Sequence, residues 1–192
     1  MLIVGLRNPG SQYEGTRHNV GAAVVAETAH RAGTGFKKAR RFIRAELAET
    51  RLGEVPAVLA LPRTFMNNSG QAVAPLAKYY GVDSESMLVV HDDIDLPFAK
   101  LKVQFGRGPG GHNGITSVVN SMQTRNFWRL KVGVGRPPGR QDPVDYVLRR
   151  FSGSEQPEMD LTLQYGADLV ELFATDGPEM ARQRAGEMGT AG

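Results

Sequence analysis

Leu2 to Leu6 is an apolar run that stops abruptly at Asn8-Pro9-Gly10, and helical spacing resumes only after His18, over Val20 to Ala32. The apolar run reads as a short buried strand. Proline fixes φ, glycine accepts a positive φ and asparagine bonds its own backbone, so positions 8–10 form a turn. Strand, polar loop and helix in that order begin an α/β layer, and the rest of the chain repeats the alternation. The expected fold is α/β: a single domain in three layers, with a twisted, mixed, largely parallel sheet surrounded by helices.

Arg44 to Leu52 and Val55 to Leu61 flank the turn Gly53-Glu54 and predict a hairpin. Ser69-Gly70 opens a helix to Tyr80 that Gly81 stops, with Pro75 expected to break or kink an early turn. Met87 to Val90 reads as a buried strand, with the charged string His91-Asp92-Asp93-Ile94-Asp95 beyond its end. Leu101 to Phe105 is a strand, Gly106 to Gly114 a glycine-rich loop, Ile115 to Met122 a helix and Phe127 to Val134 a strand. Asp142 caps a short helix with Pro143 at its first position, Ser154 starts a longer one, and Asp176 is placed to cap the last. The spacing gives one domain over 1–185 and a flexible tail over 186–192.

A chain of 192 residues is long enough to bury a core without staples. It has no cysteine, which excludes disulfides, thiolate metal sites and a cysteine nucleophile. That absence fits a reducing, cytoplasmic compartment, and since no apolar run approaches a membrane span or a signal segment, a soluble protein is expected. The formal net charge is +3. Its basic residues cluster, first as Lys37, Lys38, Arg40, Arg41 and Arg44, then as Arg125, Arg129, Lys131 and Arg136. Two readings of these clusters stand: a polyanion surface, or solvated faces.

The polar residues collect just past strand ends, where open α/β sheets gather their ligands. His18 lies at a strand-to-helix junction with Asn19 in the capping position. A histidine there is a candidate general base, since imidazole ordinarily titrates near neutrality; the alternative is a turn histidine bonded to backbone. Asp92 would accept from the His18 ring, fixing its tautomer and raising its basicity. Amides from Asn67 and Asn113 can donate to a developing oxyanion without titrating. Ser69 lies outside any Gly-x-Ser-x-Gly elbow, which leaves water as the nucleophile. Two other motifs compete for these residues. Gly106 to Gly111 satisfies the dinucleotide fingerprint, but Pro109 removes a cradling amide and no acid follows about twenty residues on. His91 to Asp95 has hard-cation ligands, but strand alternation sends Asp92 to one face and its neighbours to the other.

Gly5-Leu6-Arg7-Asn8-Pro9-Gly10, Tyr13, Thr16-Arg17-His18-Asn19, Thr64-Phe65-Met66-Asn67, His91-Asp92 with Leu96-Pro97, and Gly110-Gly111-His112-Asn113-Gly114 stand in this order. Together they resemble the bacterial-type peptidyl-tRNA hydrolases from Leu2 to about Asp176-Gly177. The resemblance implies a monomeric esterase that needs no metal or cofactor and no protein partner. Its substrate is the ester between a peptide and the 3′ ribose of tRNA. It makes His18 the catalytic base, Asp92 its orienting partner, and Asn8 the residue that separates N-blocked from free aminoacyl groups. It makes Tyr13, Phe65, Asn67 and Asn113 substrate contacts, Met66 a cleft wall and Gly110 a backbone contact. Two positions depart from the family pattern: Gln104 stands where a lysine is usual, and Lys131 where an arginine is usual, both implied to grip tRNA phosphate. The rival from another class is an RNA-binding relative of the same fold without hydrolase activity.

Overall fold

The computed structural model describes residues 1–190. In chain order it contains β1 (Leu2–Gly5), α1 (Val20–Arg31), β2 (Lys37–Lys38), β3 (Ala45–Leu52), β4 (Val55–Pro62), α2 (Gly70–Tyr80), β5 (Met87–Asp93), β6 (Leu101–Phe105), α3 (Asn113–Met122), β7 (Trp128–Gly133), α4 (Pro143–Val147), α5 (Gln156–Thr175) and α6 (Pro178–Thr190). The seven strands form one sheet in the order β2-β3-β4-β1-β5-β7-β6. The central β4, β1, β5 and β7 are parallel, and β3 and β6 flank them antiparallel, with β2 antiparallel to β3 at the far edge. This is the mixed three-layer sheet that the apolar runs predict.

Strand alternation divides the core into two halves. Ile3, Leu59, Leu88, Val90 and Leu130 face α1, α5 and α6 on one side of the sheet. Leu2, Val4, Ala60, Met87 and Val89 face α2 and α3 on the other. Each Val, Leu, Ile or Met among them stabilises the fold by about 1.5–3 kcal/mol when fully buried. The first turn of α1 sits hard against the sheet. A Cβ on Gly21 would lie 2.2 Å from the Val90 carbonyl oxygen, and one on Gly5 would lie 2.6 Å from that of Gly21. Glycine at both positions lets α1 approach β1 and β5 backbone to backbone, and so carries the His18 turn to the end of β5.

Several predicted boundaries change. His91 and Asp92 lie inside β5, not beyond it, because β7 keeps pairing with that strand through Asp93↔Gly133. The helix α2 runs unbroken through Pro75; the missing amide costs one bond to the carbonyl of Gln71, an exposed residue that water reaches. Asp176 closes α5 and does not cap α6. Gly186, where the sequence predicts a flexible tail, lies within α6, which continues to Thr190. Ala191 and Gly192 fall outside the described residues.

Candidate active site

The loop after β1 is held by its own asparagines. Asn19 does not cap α1 with its side chain. Its Oδ1 accepts from the Asn8 amide at 2.8 Å and its Nδ2 donates to the Asn8 carbonyl at 2.9 Å. Asn8 Oδ1 in turn accepts from the Met66 backbone N–H at 2.8 Å. An amide oxygen facing a backbone donor fixes which end of the side chain is which. Asn8 Nδ2 therefore stays without a partner among the described residues, and Asn8 lines the cleft as a donor. Arg17, beside His18 in sequence, turns the other way. It is buried, donates to both carboxylate oxygens of Glu155 at 2.8 Å, and lies 4.4 Å from the Tyr146 ring centroid. It locks the His18 turn onto α4 and the start of α5.

His18 and Asp92 meet as predicted: His18 Nδ1 lies 2.9 and 3.0 Å from the two Asp92 oxygens. A carboxylate only accepts, so His18 carries its proton on Nδ1. Its Nε2 lone pair has no partner among the described residues. The sequence missed a third member. His112 Nε2 lies 2.8 Å from Asp92 Oδ1, while His112 Nδ1 accepts from the backbone amides of Gly114 and Ile115 at 3.1 and 3.2 Å. Two amide donors on Nδ1 force the proton of a neutral ring onto Nε2, so His112 must donate to Asp92. The signal for this was its place one residue before α3, where free helix amides need an acceptor. Burial alone would raise the Asp92 carboxyl, but the His112 and His18 rings outweigh it and hold the group well below the usual carboxylate range. His91, on the same strand, is kept neutral, first by burial and then by His112. Its Nδ1 donates to the Asp92 carbonyl at 2.7 Å.

These side chains line one cleft of about 550 Å³. Asn8, His18, Phe65, Met66, Asn67, Asp92, Gly110, Asn113 and Lys131 all border it. Tyr13 does not; it stands edge-on to Phe65 with ring centroids 6.4 Å apart, at the rim. Met66 is at once buried core and cleft wall. The side-chain amides of Asn67 and Asn113 have no partner among the described residues. Lys131 is an ion-paired wall residue, its Nζ 2.6 Å from Asp93. Val144, Val147 and Leu148 add an apolar wall that nothing in the sequence marked. Arg129, buried beneath the glycine-rich loop, donates to the Gly108 carbonyl at 3.0 Å and anchors that side of the cleft.

One donor atom each from His18, Asp92 and His112 lies within 4.8 Å of the others, a span that suits a metal ion. The donor chemistry opposes it. A neutral ring that ligates through one nitrogen is protonated on the other, and the amides of Gly114 and Ile115 leave no room for a proton on His112 Nδ1. That ring would bind only as an imidazolate. The set is built to hold protons.

The chain matches the family described as Peptidyl-tRNA hydrolase over residues 2–190. It is 47% identical to the peptidyl-tRNA hydrolase of Rhodococcus erythropolis over 183 residues, which is 95% of this chain and 96% of that one. It is 47% identical to that of Pseudarthrobacter chlorophenolicus over 193 residues, 100% of this chain and 97% of the relative. Among solved structures, peptidyl-tRNA hydrolase from Acinetobacter baumannii superposes with a TM-score of 0.90 at 34% identity, covering 96% of this chain and 93% of that one.

Proposed function

The chain belongs to the peptidyl-tRNA hydrolase family, and on that premise we propose that His18 is the general base, with Asp92 orienting it and Asn8, Asn67 and Asn113 holding the substrate. The protein hydrolyses the ester that joins a peptide to tRNA. One observation carries the assignment: Asp92 fixes the His18 proton on Nδ1 and leaves Nε2 as a lone pair in the cleft. Water attacks the ester carbonyl as His18 Nε2 takes its proton. The tetrahedral intermediate then expels the 3′ ribose oxygen, which receives that proton. Asn67 and Asn113 supply donors for the oxyanion, where one such donor is typically worth about 10²–10³ in rate. The protein is proposed to act as a monomer in the cytoplasm, with every one of these groups bordering the same cleft. No helix among the described residues is long and apolar enough to cross a membrane. Release of peptide from N-acetyl-aminoacyl-tRNA by the purified protein in EDTA tests the reading; dependence on added metal would overturn it.

Asn8 is the proposed discriminator. Its oxygen is occupied by Met66 N–H, so only Nδ2 faces the substrate, and it can donate to the acyl carbonyl of an N-blocked residue. A free α-ammonium has no such carbonyl. In Asn8→Asp one carboxylate oxygen still accepts from Met66, and the other offers a charge where the donor stood. The ratio of kcat/KM for N-acetyl-aminoacyl-tRNA over aminoacyl-tRNA should fall by roughly tenfold, the worth of one such bond. An unchanged ratio would remove Asn8 from this role.

The acceptor arm is proposed to lie across the glycine-rich loop. That loop separates the cleft from a groove of about 680 Å³ that Lys100, Lys102, Gln104, Arg107 and Arg182 line. Gln104 is the neutral member of this cationic set. Gln104→Lys should lower KM with kcat unchanged, because it adds binding remote from the ester. A new phosphate contact also steepens log K against log salt by about 0.7–0.9. Parallel salt dependences of KM for variant and wild type would show that position 104 meets no phosphate.

A further inference from the structure

The first basic cluster of the sequence takes no part in the cleft. Lys37 and Lys38 form the exposed edge strand β2, and Arg40, Arg41 and Arg44 continue it into the turn before β3. Two more exposed cations adjoin them: Arg63, whose backbone amide donates to the Arg44 carbonyl at 2.8 Å, and Lys78 in the last turn of α2. Among the described residues none of these seven makes an ion pair. The nearby acids are already taken. Glu46 pairs with Arg7 at 2.7 Å, and Glu49 accepts from the Tyr80 hydroxyl.

Within this field stand two rings that the core leaves out. Phe42 is 65% exposed and Tyr79 43%. Their centroids are 6.1 Å apart, Tyr79 also packs edge-on against Tyr80 at 5.0 Å, and the Arg40 guanidinium lies 5.4 Å from the Tyr79 ring centre. The patch thus combines flat apolar faces with unpaired cations. A protein partner would have to bury many like charges, whereas a phosphate chain neutralises them and releases counterions. Exposed rings accept only unpaired bases, since a duplex hides its base faces.

We propose that Phe42, Tyr79, Arg40, Arg41 and their basic neighbours form a second RNA site, which holds a single-stranded segment of an RNA other than the tRNA being hydrolysed. The sheet order separates it from the substrate. The patch lies at the β2 edge and the cationic groove at the β6 edge, six strand steps apart, or roughly 30 Å at the usual spacing. The cleft lies between them, so an acceptor arm approaching over the glycine-rich loop leaves the β2 edge free.

The test uses a labelled 12-nucleotide single-stranded RNA of mixed sequence, the full chain, and fluorescence anisotropy over a salt series. Phe42→Ala should weaken binding roughly five- to a hundredfold by loss of stacking, with the salt slope unchanged. Arg40→Gln with Arg41→Gln should reduce the slope by about 1.4, or 0.7 for each phosphate contact on a single strand. Both side chains are exposed, so folding is not at stake, and kcat/KM for N-acetyl-aminoacyl-tRNA should stay within about twofold. Equal RNA affinity in wild type and both variants overturns the site. A parallel fall in kcat/KM overturns its separateness from the substrate. Patch-dependent binding to phosphatidylglycerol vesicles without RNA binding assigns the surface to anionic lipid, and equally overturns the proposal.

Discussion

His18→Ala should abolish turnover of N-acetyl-aminoacyl-tRNA, by at least about 10²–10⁴ in kcat, while tRNA affinity stays within about twofold. The proton that His18 Nε2 takes moves only as water attacks, so the loss falls on the transition state and spares ground-state binding. Substantial activity in the variant would sink the mechanism. A second readout follows from Asp92. Burial alone would raise its carboxyl, and the His112 and His18 rings together hold it low. A carboxyl held low stabilises the fold above the ordinary carboxylate range, and that stability is lost as pH falls through the depressed value. With His18 gone one of the two rings is absent, so acid unfolding should begin at a higher pH than in wild type. An identical acid transition would mean that His112 alone holds the charge.

The layers were legible in the sequence because buried strands leave long apolar runs, and the central strands of this sheet are covered on both faces. His18, Asn67 and Asn113 were legible because turns and strand ends show locally as Asn, Gly and Pro. Asp92 was legible as a partner but not as a strand residue. Aspartate is depleted in strands, and only the pairing of β5 with β7, some forty residues later in sequence, overrides that preference. Arg129 read as part of a surface cluster, and both it and Arg17 are buried. What buries Arg17 is Glu155, 138 residues away, together with the Tyr146 ring. The two uses of asparagine are similarly non-local. Asn19 fits a helix cap in sequence, yet it clamps Asn8 11 residues earlier. Local chemistry named the residue types, and tertiary hydrogen bonds chose among their roles.

Those bonds also decide what Asp92→Asn does. His112 donates from Nε2 and cannot do otherwise, because its Nδ1 faces the amides of Gly114 and Ile115. An asparagine at position 92 must therefore place its Oδ1 where Asp92 Oδ1 accepts from His112 at 2.8 Å. Its Nδ2 then occupies the site of Oδ2, 3.0 Å from His18 Nδ1. A donor now faces a donor. The conflict is relieved if His18 shifts its proton to Nε2 and accepts from the amide, which destroys the lone pair that water needs. The alternative keeps the proton on Nδ1, bonded to Oδ1 alone, but without the carboxylate charge that steadies the imidazolium. Both outcomes lower kcat by about a hundredfold or more, the scale of general-base assistance, and leave KM near wild type. His112 makes the substitution worse than a plain loss of charge, because it dictates which way the amide turns. Steady-state kcat and KM with N-acetyl-aminoacyl-tRNA measure this directly. A variant as fast as wild type would show that the proton on His18 is not set by Asp92.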